Sequence, residues 1–584
     1  MIRITNFQGM IPALDPKQLP NEAASFARNC KLDNGTLRPF VKPTPVQGGQ
    51  PAEPAYDTLD NFIYFGGTNS KYPILARLLQ QNAYDYFIAQ YPYDLNPRII
   101  YIDNQNVLRA IPLGSNTVKN IGVPVGPSIA FNGLIPQNRS KYPLAQCYCA
   151  TYVNEYGEEG APGIPSSLFT GNEGDIVSLI ITPLFSGVIS YGIRKIRLYK
   201  TMTPYSTGEE LTVKTETNYH LVAEIDASDV TFEYIIDTPT SRTPNDLLLS
   251  KEFFQPPIVN CVGLAYLSDG FMVIAYLNGT IRISERFMYH AFPLRNQITL
   301  PEYIDSIVAN KNSIYVTCKN GAPYKITVTP DPSGIKVITQ QYPDFYYSKN
   351  PRSLTKTNFG SLYSSQRGLV GLSDSQIVMT NGYILADQWN RDYNPTKSFW
   401  LSGFYIGVGG PTYNMLVDIP DSIGGTNSFR KLTTLDDEIL VSNIDNNYYM
   451  VQASDGIYIN TNLGLYKWVG LEDNWTGQGH DVLARYLWRS KTYVFPGRKT
   501  FAAAKVTFAD GTCGETPLTF RIYADGALRY ERLVHTDQPF RLPHLFKAMN
   551  WYIELEGKST VHEVHVAESM TDLKGATNGQ IPPI

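Results

Sequence analysis

From Gln255 to about Trp475 the chain repeats one pattern: an apolar run of strand length, an Asp-Gly or Asn-Gly dipeptide, then another apolar run. Leu264-Ala265-Tyr266-Leu267 precedes Asp269-Gly270, Phe271 to Tyr276 leads into Asn278-Gly279, and Thr280 to Ser284 follows. Ile314 to Cys318 runs to Asn320-Gly321. Ser361-Leu362-Tyr363-Ser364, Gln366-Arg367-Gly368-Leu369-Val370 and Gln376 to Met379 continue the series, which Tyr448 to Val451 and Gly456 to Ile459 close. A tight hairpin turn needs positive φ at its central residues, and Asn-Gly and Asp-Gly supply it at low cost. Antiparallel units of a few strands, about 45 to 50 residues apart, are how propeller blades read in a sequence. The repeats are too degenerate to count blades.

Composition agrees. The 40 Tyr, 26 Phe and 6 Trp favour pleated, half-buried strands, while 45 Gly and 40 Pro punctuate turns. With 43% hydrophobic and only 17% charged residues there is ample core material and no disordered character. A chain of 584 residues is long enough for roughly three to five domains. The reading is an all-β, multi-domain chain with a β-propeller-like core, a fibronectin type III-like insertion and a C-terminal β-sandwich.

Five segments follow. Residues 1–50 form an N-terminal arm. Within it Asn21 to Asn29 is expected as a short helix, with Leu19, Ala23, Phe26 and Ala27 on one face and Asn21 as its N-cap. A hairpin is expected about Asp33-Asn34-Gly35. Residues 51–123 supply the first propeller strands: Phe62 to Phe65, Tyr86 to Ala89 and Arg98 to Ile102. Residues 124–250 resemble a fibronectin type III sandwich in three features: the Cys147 to Val153 strand, the Gly157-Glu158-Glu159 turn, and the Arg197-Leu198-Tyr199-Lys200-Thr201 strand end. The uncharged stretch from Ile176 is broken by Pro183, Gly187 and Gly192, so it reads as two strands rather than a membrane span. Residues 251–480 hold the main propeller region. Residues 481–584 read as a second sandwich, with strands Ala502 to Phe508, Leu518 to Tyr523, Trp551 to Glu556 and Val561 to Ala567.

The charge is close to balanced, 49 Lys plus Arg against 53 Asp plus Glu, a formal −4, without a block of five like charges. Tight phosphate binding needs clustered surplus cations, so a grip on nucleic acid is not expected. The six cysteines (Cys30, Cys147, Cys149, Cys261, Cys318, Cys513) are scattered and read as buried free thiols rather than a disulfide framework. The opening Met1-Ile2-Arg3-Ile4-Thr5-Asn6 lacks the apolar run of a signal peptide, which predicts a soluble product made in the cytoplasm.

No enzyme signature is present. His562 and His565 stand three apart on one strand and so face opposite ways; His220, His290, His480, His535 and His544 are isolated. Gly-x-Ser-x-Gly, Walker and His-Glu-x-x-His motifs are missing. Ser454-Asp455-Gly456 and Ser268-Asp269-Gly270 lack the spacing and the Trp of a sialidase box. Asp436-Asp437-Glu438 is the densest acidic cluster and reads as a turn between strands, not as a retaining pair of carboxylates. Tyr342-Pro343-Asp344-Phe345-Tyr346-Tyr347 and Asn446-Asn447-Tyr448-Tyr449 are candidate glycan surfaces or, more simply, strand packing and subunit contacts. No catalytic, cofactor-binding or metal-binding residue is assigned, and no enzyme activity is expected.

The order of motifs resembles a virion family, the tail nozzle proteins (tail tubular protein B) of short-tailed phages. The N-terminal signature is Phe7-Gln8-Gly9-Met10-Ile11-Pro12, Leu19-Pro20, Ala23 to Asn29, Asp33-Asn34-Gly35 and Leu37-Arg38-Pro39. In the middle come Pro256-Pro257, Gly263-Leu264, Gly270, Ile283-Ser284-Glu285, Tyr289-His290-Ala291-Phe292-Pro293, Ser361-Leu362-Tyr363-Ser364 and Gly368-Leu369-Val370. Then follow Trp488-Arg489-Ser490-Lys491, Tyr523-Ala524-Asp525-Gly526, Phe540-Arg541-Leu542-Pro543 and Val564-His565-Val566-Ala567-Glu568-Ser569. The resemblance implies a virion structural protein in a homo-oligomeric ring, a hexamer, below the portal and its adaptor. Such a ring contacts tail fibres or spikes, continues the DNA channel, retains the packaged genome without gripping the duplex, and opens for ejection. A tail hub or host-contacting tip protein, or a glycan-binding propeller lectin, is the alternative.

Overall fold

In the computed structural model the described residues are 1–32, 35–45, 62–65, 74–77, 86–89, 98–103, 105–112, 118–137, 144–171, 175–183, 191–201, 218–227, 233–237, 247–332, 334–401, 403–419, 431–440, 449–453, 456–461, 464–468, 482–543 and 546–577. The protein is all-β. Among the described residues its helical elements are single turns or little more, the longest being Met570–Thr577. Two compact units divide the chain: Met1–Asp57 with Tyr315–Lys325 and Gln340–Ile584, and Thr58–Ile314 with Ile326–Thr339.

Propeller-like blades recur as four-stranded antiparallel sets in chain order. Blade I is Tyr86–Ala89, Arg98–Ile102, Leu108–Pro112 and Lys119–Asn120. Blade II is Cys261–Tyr266, Met272–Tyr276, Thr280–Ile283 and Gln297–Thr299. Blade III is Ile304–Asn310, Ser313–Cys318, Tyr324–Asp331 and Gly334–Gln341. Blade IV is Thr355–Lys356, Ser361–Ser365, Gly368–Leu372 and Gln376–Val378. Blade V is Lys397–Leu401, Phe404–Val408, Asn414–Asp418 and Lys431–Leu435. Blade VI is Tyr449–Ala453, Gly456–Thr461 and Gly464–Trp468, and its fourth strand is Thr44–Pro45 from the N-terminal segment. The Asp-Gly and Asn-Gly turns seen in the sequence sit between blade strands where described: Gly270 has φ +90° and Gly279 φ +88°.

The N-terminal segment is woven through its unit. Ile2–Ile4 pairs with Val561–Ala567, and Ala24–Arg28 pairs antiparallel with Tyr486–Ser490 while Arg28 lies parallel to Thr434 of blade V. One ten-stranded sheet thereby runs from blade V through Ala24–Arg28 into the C-terminal strands. The helix expected over Asn21 to Asn29 is therefore a strand. Nine residues are marginal as an isolated helix in water, and the free edges of two neighbouring strands outweigh that weak local preference. The hairpin after it is present as Cys30–Lys31 paired with Arg38–Pro39, with Gly35 at φ +76°; Asp33 and Asn34 lie outside the described residues.

The C-terminal sandwich packs Ala503–Phe508 and Val561–Ala567 against Leu518–Ala524 and Ala548–Gly557. Its core draws on Phe501, Val506, Phe520, Ile522, Trp551, Ile553, Leu555 and Val564, all essentially without exposure. In the other unit, Ile100, Ile102 and Leu108 of blade I pack with Leu264, Met272 and Ile274 of blade II.

The insertion is a sandwich of two three-stranded sheets. Ser128–Ile135, Ile176–Thr182 and Glu233–Asp237 form one; Tyr148–Asn154, Ile193–Thr201 and Tyr219–Asp226 form the other. These occupy the places of the B–E and C–F–G strands of an immunoglobulin-type sandwich, and the strand beside E comes last in the chain instead of between C and E. Tyr148, Tyr152, Leu198, Val177 and Leu179 fill its core. Of the uncharged stretch from Ile176 to Ile193, Ile176–Thr182 is a strand of the first sheet and Ile193 opens a strand of the second, while residues 184–190 lie outside the described residues.

Candidate functional site

The most unusual chemistry among the described residues is a buried ionic junction at the base of the insertion. Asn154 ends the Tyr148–Asn154 strand and folds the following turn back on itself: its side-chain oxygen accepts from the Tyr156 and Glu158 amides at 3.0 Å each. Gly157, at φ +78°, allows the reversal, since a Cβ there would be strained. The turn delivers Glu158, 8% exposed, to Arg98 at the start of a blade I strand, whose guanidinium donates to both carboxylate oxygens at 3.1 and 2.5 Å. Asn154 Nδ2 donates to the same carboxylate at 2.6 Å, and His290 Nδ1 from blade II stands 3.5 Å away.

Arg98 also stacks over the Tyr156 ring at 4.1 Å, and Phe253 meets the His290 imidazole edge-on at 5.8 Å. Alongside, Glu155 pairs with Lys119 of blade I and, at 3.7 Å, with Arg194.

Burial by itself would raise the Glu158 pKa. The charges of His290, when protonated, and of Arg98 outweigh it and hold the carboxyl well below the usual carboxylate range. A permanently ionised carboxylate whose oxygens are already claimed by Arg98 and Asn154 is poorly suited to abstract a substrate proton. What the arrangement does is fix geometry: a bidentate Arg–carboxylate pair holds distance and orientation together, and here it joins blade I, the insertion and blade II within one unit. The sequence showed the Gly157-Glu158-Glu159 turn but not its purpose, because Arg98 and His290 are remote along the chain.

A second junction lies in the other unit, where the Phe7-Gln8-Gly9-Met10 signature lands. Phe7, fully buried, meets Trp488 edge-to-face at 4.9 Å, and Trp488 Nε1 donates to the Gln8 carbonyl at 3.1 Å. Gly9 lies so close to blade V that an added Cβ would sit 2.4 Å from the Leu432 nitrogen, and the Met10 amide donates to the Leu432 carbonyl at 3.0 Å.

The acidic cluster is part of the same seam, and it starts the single helical turn Asp437–Leu440 where a simple strand-to-strand turn was expected. Asp436 caps this turn: its side chain accepts from the Glu438 amide at 3.0 Å, and its carbonyl accepts from the Ile439 and Leu440 amides at 3.1 Å each. Asp436 also accepts from Asn29 at 2.7 Å and pairs with Arg28 at 3.4 Å; Glu438 pairs with Lys42 at 3.4 Å. These acids hold the N-terminal segment.

His565 is buried beside Glu563 at 3.0 Å, and His562 is exposed on the opposite face. His535 is exposed, His220 sits within an insertion strand, and His480 and His544 lie outside the described residues. Among the described residues no cluster of three or more His, Cys, Asp or Glu is placed to hold a metal. Five cysteines are buried and Cys147 is partly so, all as free thiols; burial pushes Cys30, Cys149 and Cys261 up to about 12.

Of the Tyr-rich stretches, Tyr342 is buried and donates to the Ser373 carbonyl, Tyr346 and Tyr347 are half-buried, and Phe345 is exposed. Asn446, Asn447, Tyr448, Ser454 and Asp455 lie outside the described residues. Asp269 accepts from Asn312 at 2.6 Å within blade-to-blade packing of one unit. Among the described residues no helix is long and apolar enough to cross a membrane.

No protein-family model matches the chain, and no curated protein matches it. Solved structures that align with it include BamB from Moraxella catarrhalis, at 11% identity, over 51% of this chain and 85% of that one, with TM-score 0.20. The Swd1 β-propeller domain of Myceliophteria thermophila aligns at 9% identity over 57% and 91%, with TM-score 0.17. PorZ of the Porphyromonas gingivalis type-IX secretion system aligns at 11% identity over 83% and 68%, with TM-score 0.21. Superpositions at these scores carry no functional argument; the protein is an all-β chain with propeller-like blades, as its own sheet order shows.

Proposed function

We propose that the chain is a structural subunit of a short-tailed phage tail, the nozzle being its place, rather than an enzyme. The observation that carries the reading is the woven N-terminal segment. The residues that open the nozzle-like signature, Phe7, Gly9 and Met10, lock that segment between blade V and the C-terminal sandwich. Thr44–Pro45 of the same segment completes blade VI. Strands from distant parts of the chain thus share sheets, so neither blade V nor blade VI can peel away without breaking pairings with the N-terminal segment. Resistance to mechanical load without a cofactor is what a part under genome pressure requires.

In this reading copies of the chain form a ring, a hexamer, on the adaptor below the portal, carry fibres or spikes, and pass duplex DNA. A subunit with formal charge −4 suits a conduit, because a basic bore would trap phosphates by counterion release. Electron microscopy of the purified full chain, and antibody labelling of virions, tests it. The expected result is a ring with an axial opening of duplex width, labelled at the tail below the head. Label at the distal tip alone would make it a hub or tip protein. A monomer that binds a glycan array and labels no virion would replace the reading with the lectin.

A further inference from the structure

Blade I covers only part of the blade II face that packs against it. Ile274, Arg282 and Gln297 stand opposite one another across the second, third and fourth strands of blade II, and so share that face. Ile274 and Tyr276 belong to the apolar core formed with Ile100 and Leu108 of blade I. Thr280, Arg282 and Gln297 are left outside it. With the stretch from Pro257 to Asn260, and with Tyr303, they line a hollow of about 490 Å³, a volume ordinary for specific ligand sites.

The walls are fixed by the fold itself. The stretch before Cys261 is tied on one side to blade I, where the Leu108 amide donates to the Ile258 carbonyl at 2.7 Å. On the other side the Leu277 amide donates to the Asn260 carbonyl at 3.1 Å. Asn260 holds a left-handed φ of +59°, which Asn tolerates through its short polar side chain. Tyr276, 5% exposed, makes the floor, its hydroxyl donating to the Pro257 carbonyl at 2.7 Å, and Tyr303, 64% exposed, stands at the rim.

Arg282 is the group that the fold does not account for. It is half-buried, yet among the described residues its guanidinium has no ion-pair or hydrogen-bond partner, and no Asp or Glu lines the hollow. Its neighbours along the same blade are claimed: Arg295 pairs with Glu252 and Glu285, and Arg286 donates to the Asp269 carbonyl at 2.8 Å. The side-chain amides of Asn260 and Gln297 also make no hydrogen bond among the described residues. A five-donor cation held partly out of water with nothing opposite to it is unfavourable, and an anion in the hollow offsets that cost.

We infer that this hollow is a binding site for an acidic saccharide, a pyranose chain that carries a carboxylate. The carboxylate takes the paired donors of the Arg282 guanidinium. The apolar face of the sugar ring lies on Tyr276 and Tyr303, and its hydroxyls meet the side-chain amides of Asn260 and Gln297, which both donate and accept. A lone cation matches one carboxylate; a phosphate, with about two negative charges, calls for a second cation, and the lining has none. The site goes beyond the tail reading and stands on this chain's own residues whether or not that reading holds.

The test uses the purified full chain with saturation-transfer NMR and calorimetry. The acidic probes are trigalacturonate, a hyaluronan tetrasaccharide and sialyllactose, each beside its carboxyl-reduced neutral form, with inorganic phosphate as the competing anion. At least one acidic probe is expected to bind, and its neutral form to bind about tenfold or more weakly. Arg282→Gln is expected to weaken that binding by a similar factor and Tyr303→Ala by several-fold, each with an unchanged thermal unfolding profile. Tyr303 is exposed, so its variant reports even where loss of Arg282 disturbs folding. Arg286→Gln removes a charge outside the hollow and is expected to bind as the parent does. If no acidic probe binds, if the neutral forms bind as well, or if neither Arg282→Gln nor Tyr303→Ala weakens binding, the inference falls. Phosphate bound as tightly as the saccharides would make this a plain anion site and overturn it equally. Virion labelling judges the tail reading separately, so either can fail without the other.

Discussion

Replacing Glu158 by Gln keeps the shape of the turn and removes its charge. Arg98, whose side chain is 5% exposed, then stays buried without its counter-charge, and one of two good acceptors at 3.1 and 2.5 Å becomes an amide nitrogen. Removing one member of a buried pair costs roughly 3–5 kcal/mol, mostly because the partner charge is left stranded. The loss falls on the seating of the insertion against blades I and II, so it is read locally. Hydrogen exchange of the Asn154–Glu159 amides and limited proteolysis of the insertion should report an opening equilibrium larger by about a hundredfold or more, since each 1.4 kcal/mol is tenfold. The Arg98→Met, Glu158→Leu double variant removes both charges and should return to within about 1 kcal/mol of the parent, because a buried pair and a packed apolar pair of like volume are of similar worth. If the Gln variant opens no more than the parent, or the double variant is as open as the single one, the junction does not hold the insertion and the reasoning fails.

Gly9→Ala forces a Cβ to within 2.4 Å of the Leu432 backbone, where no side chain can yield; a loss of at least about 1–3 kcal/mol is expected in urea unfolding of the unit that contains it. Phe7→Ala empties a fully buried site against Trp488 and should cost about 3–5 kcal/mol and quench-shift Trp488 fluorescence toward that of an exposed indole. Acid weakens the fold in two stages. Burial lowers the His565 pKa from 6.5 despite Glu563, with Arg3 and Lys505 adding to the lowering, so the unfolded chain takes the proton first and stability falls as pH drops below that value. Glu158 is also depressed, so its contribution is present above about pH 4.5 and is lost as pH falls through the lower folded value. His565→Gln should remove the first stage in a series of thermal melts and leave the second. Duplex DNA at physiological salt should show no tight binding to the purified chain by anisotropy, and a nanomolar complex would contradict the conduit reading.

Most of the all-β character was legible because it is local. Gly270 and Gly279 had to be turns, Leu264 to Leu267 and Phe271 to Tyr276 had to be strands, and Tyr148 to Val153 and Arg197 to Thr201 had to lie in a sandwich, whatever surrounded them. Alternation and positive-φ residues act over a few positions, so a single sequence carries them.

Pairing partners are a different matter. Ala24–Arg28 reads as a short helix until Tyr486–Ser490 and Thr434 are placed beside it, and Thr44–Pro45 gives no hint that it completes a blade whose other strands begin at Tyr449. The buried junction is of the same kind: Arg98, Glu158 and His290 are ordinary surface residues in sequence, and only folding brings them within reach and excludes water, which turns a weak exposed ion pair into a strong determinant of geometry. Backbone preference is written residue by residue; edge pairing and buried charge depend on which distant segment arrives, and that was decided in three dimensions.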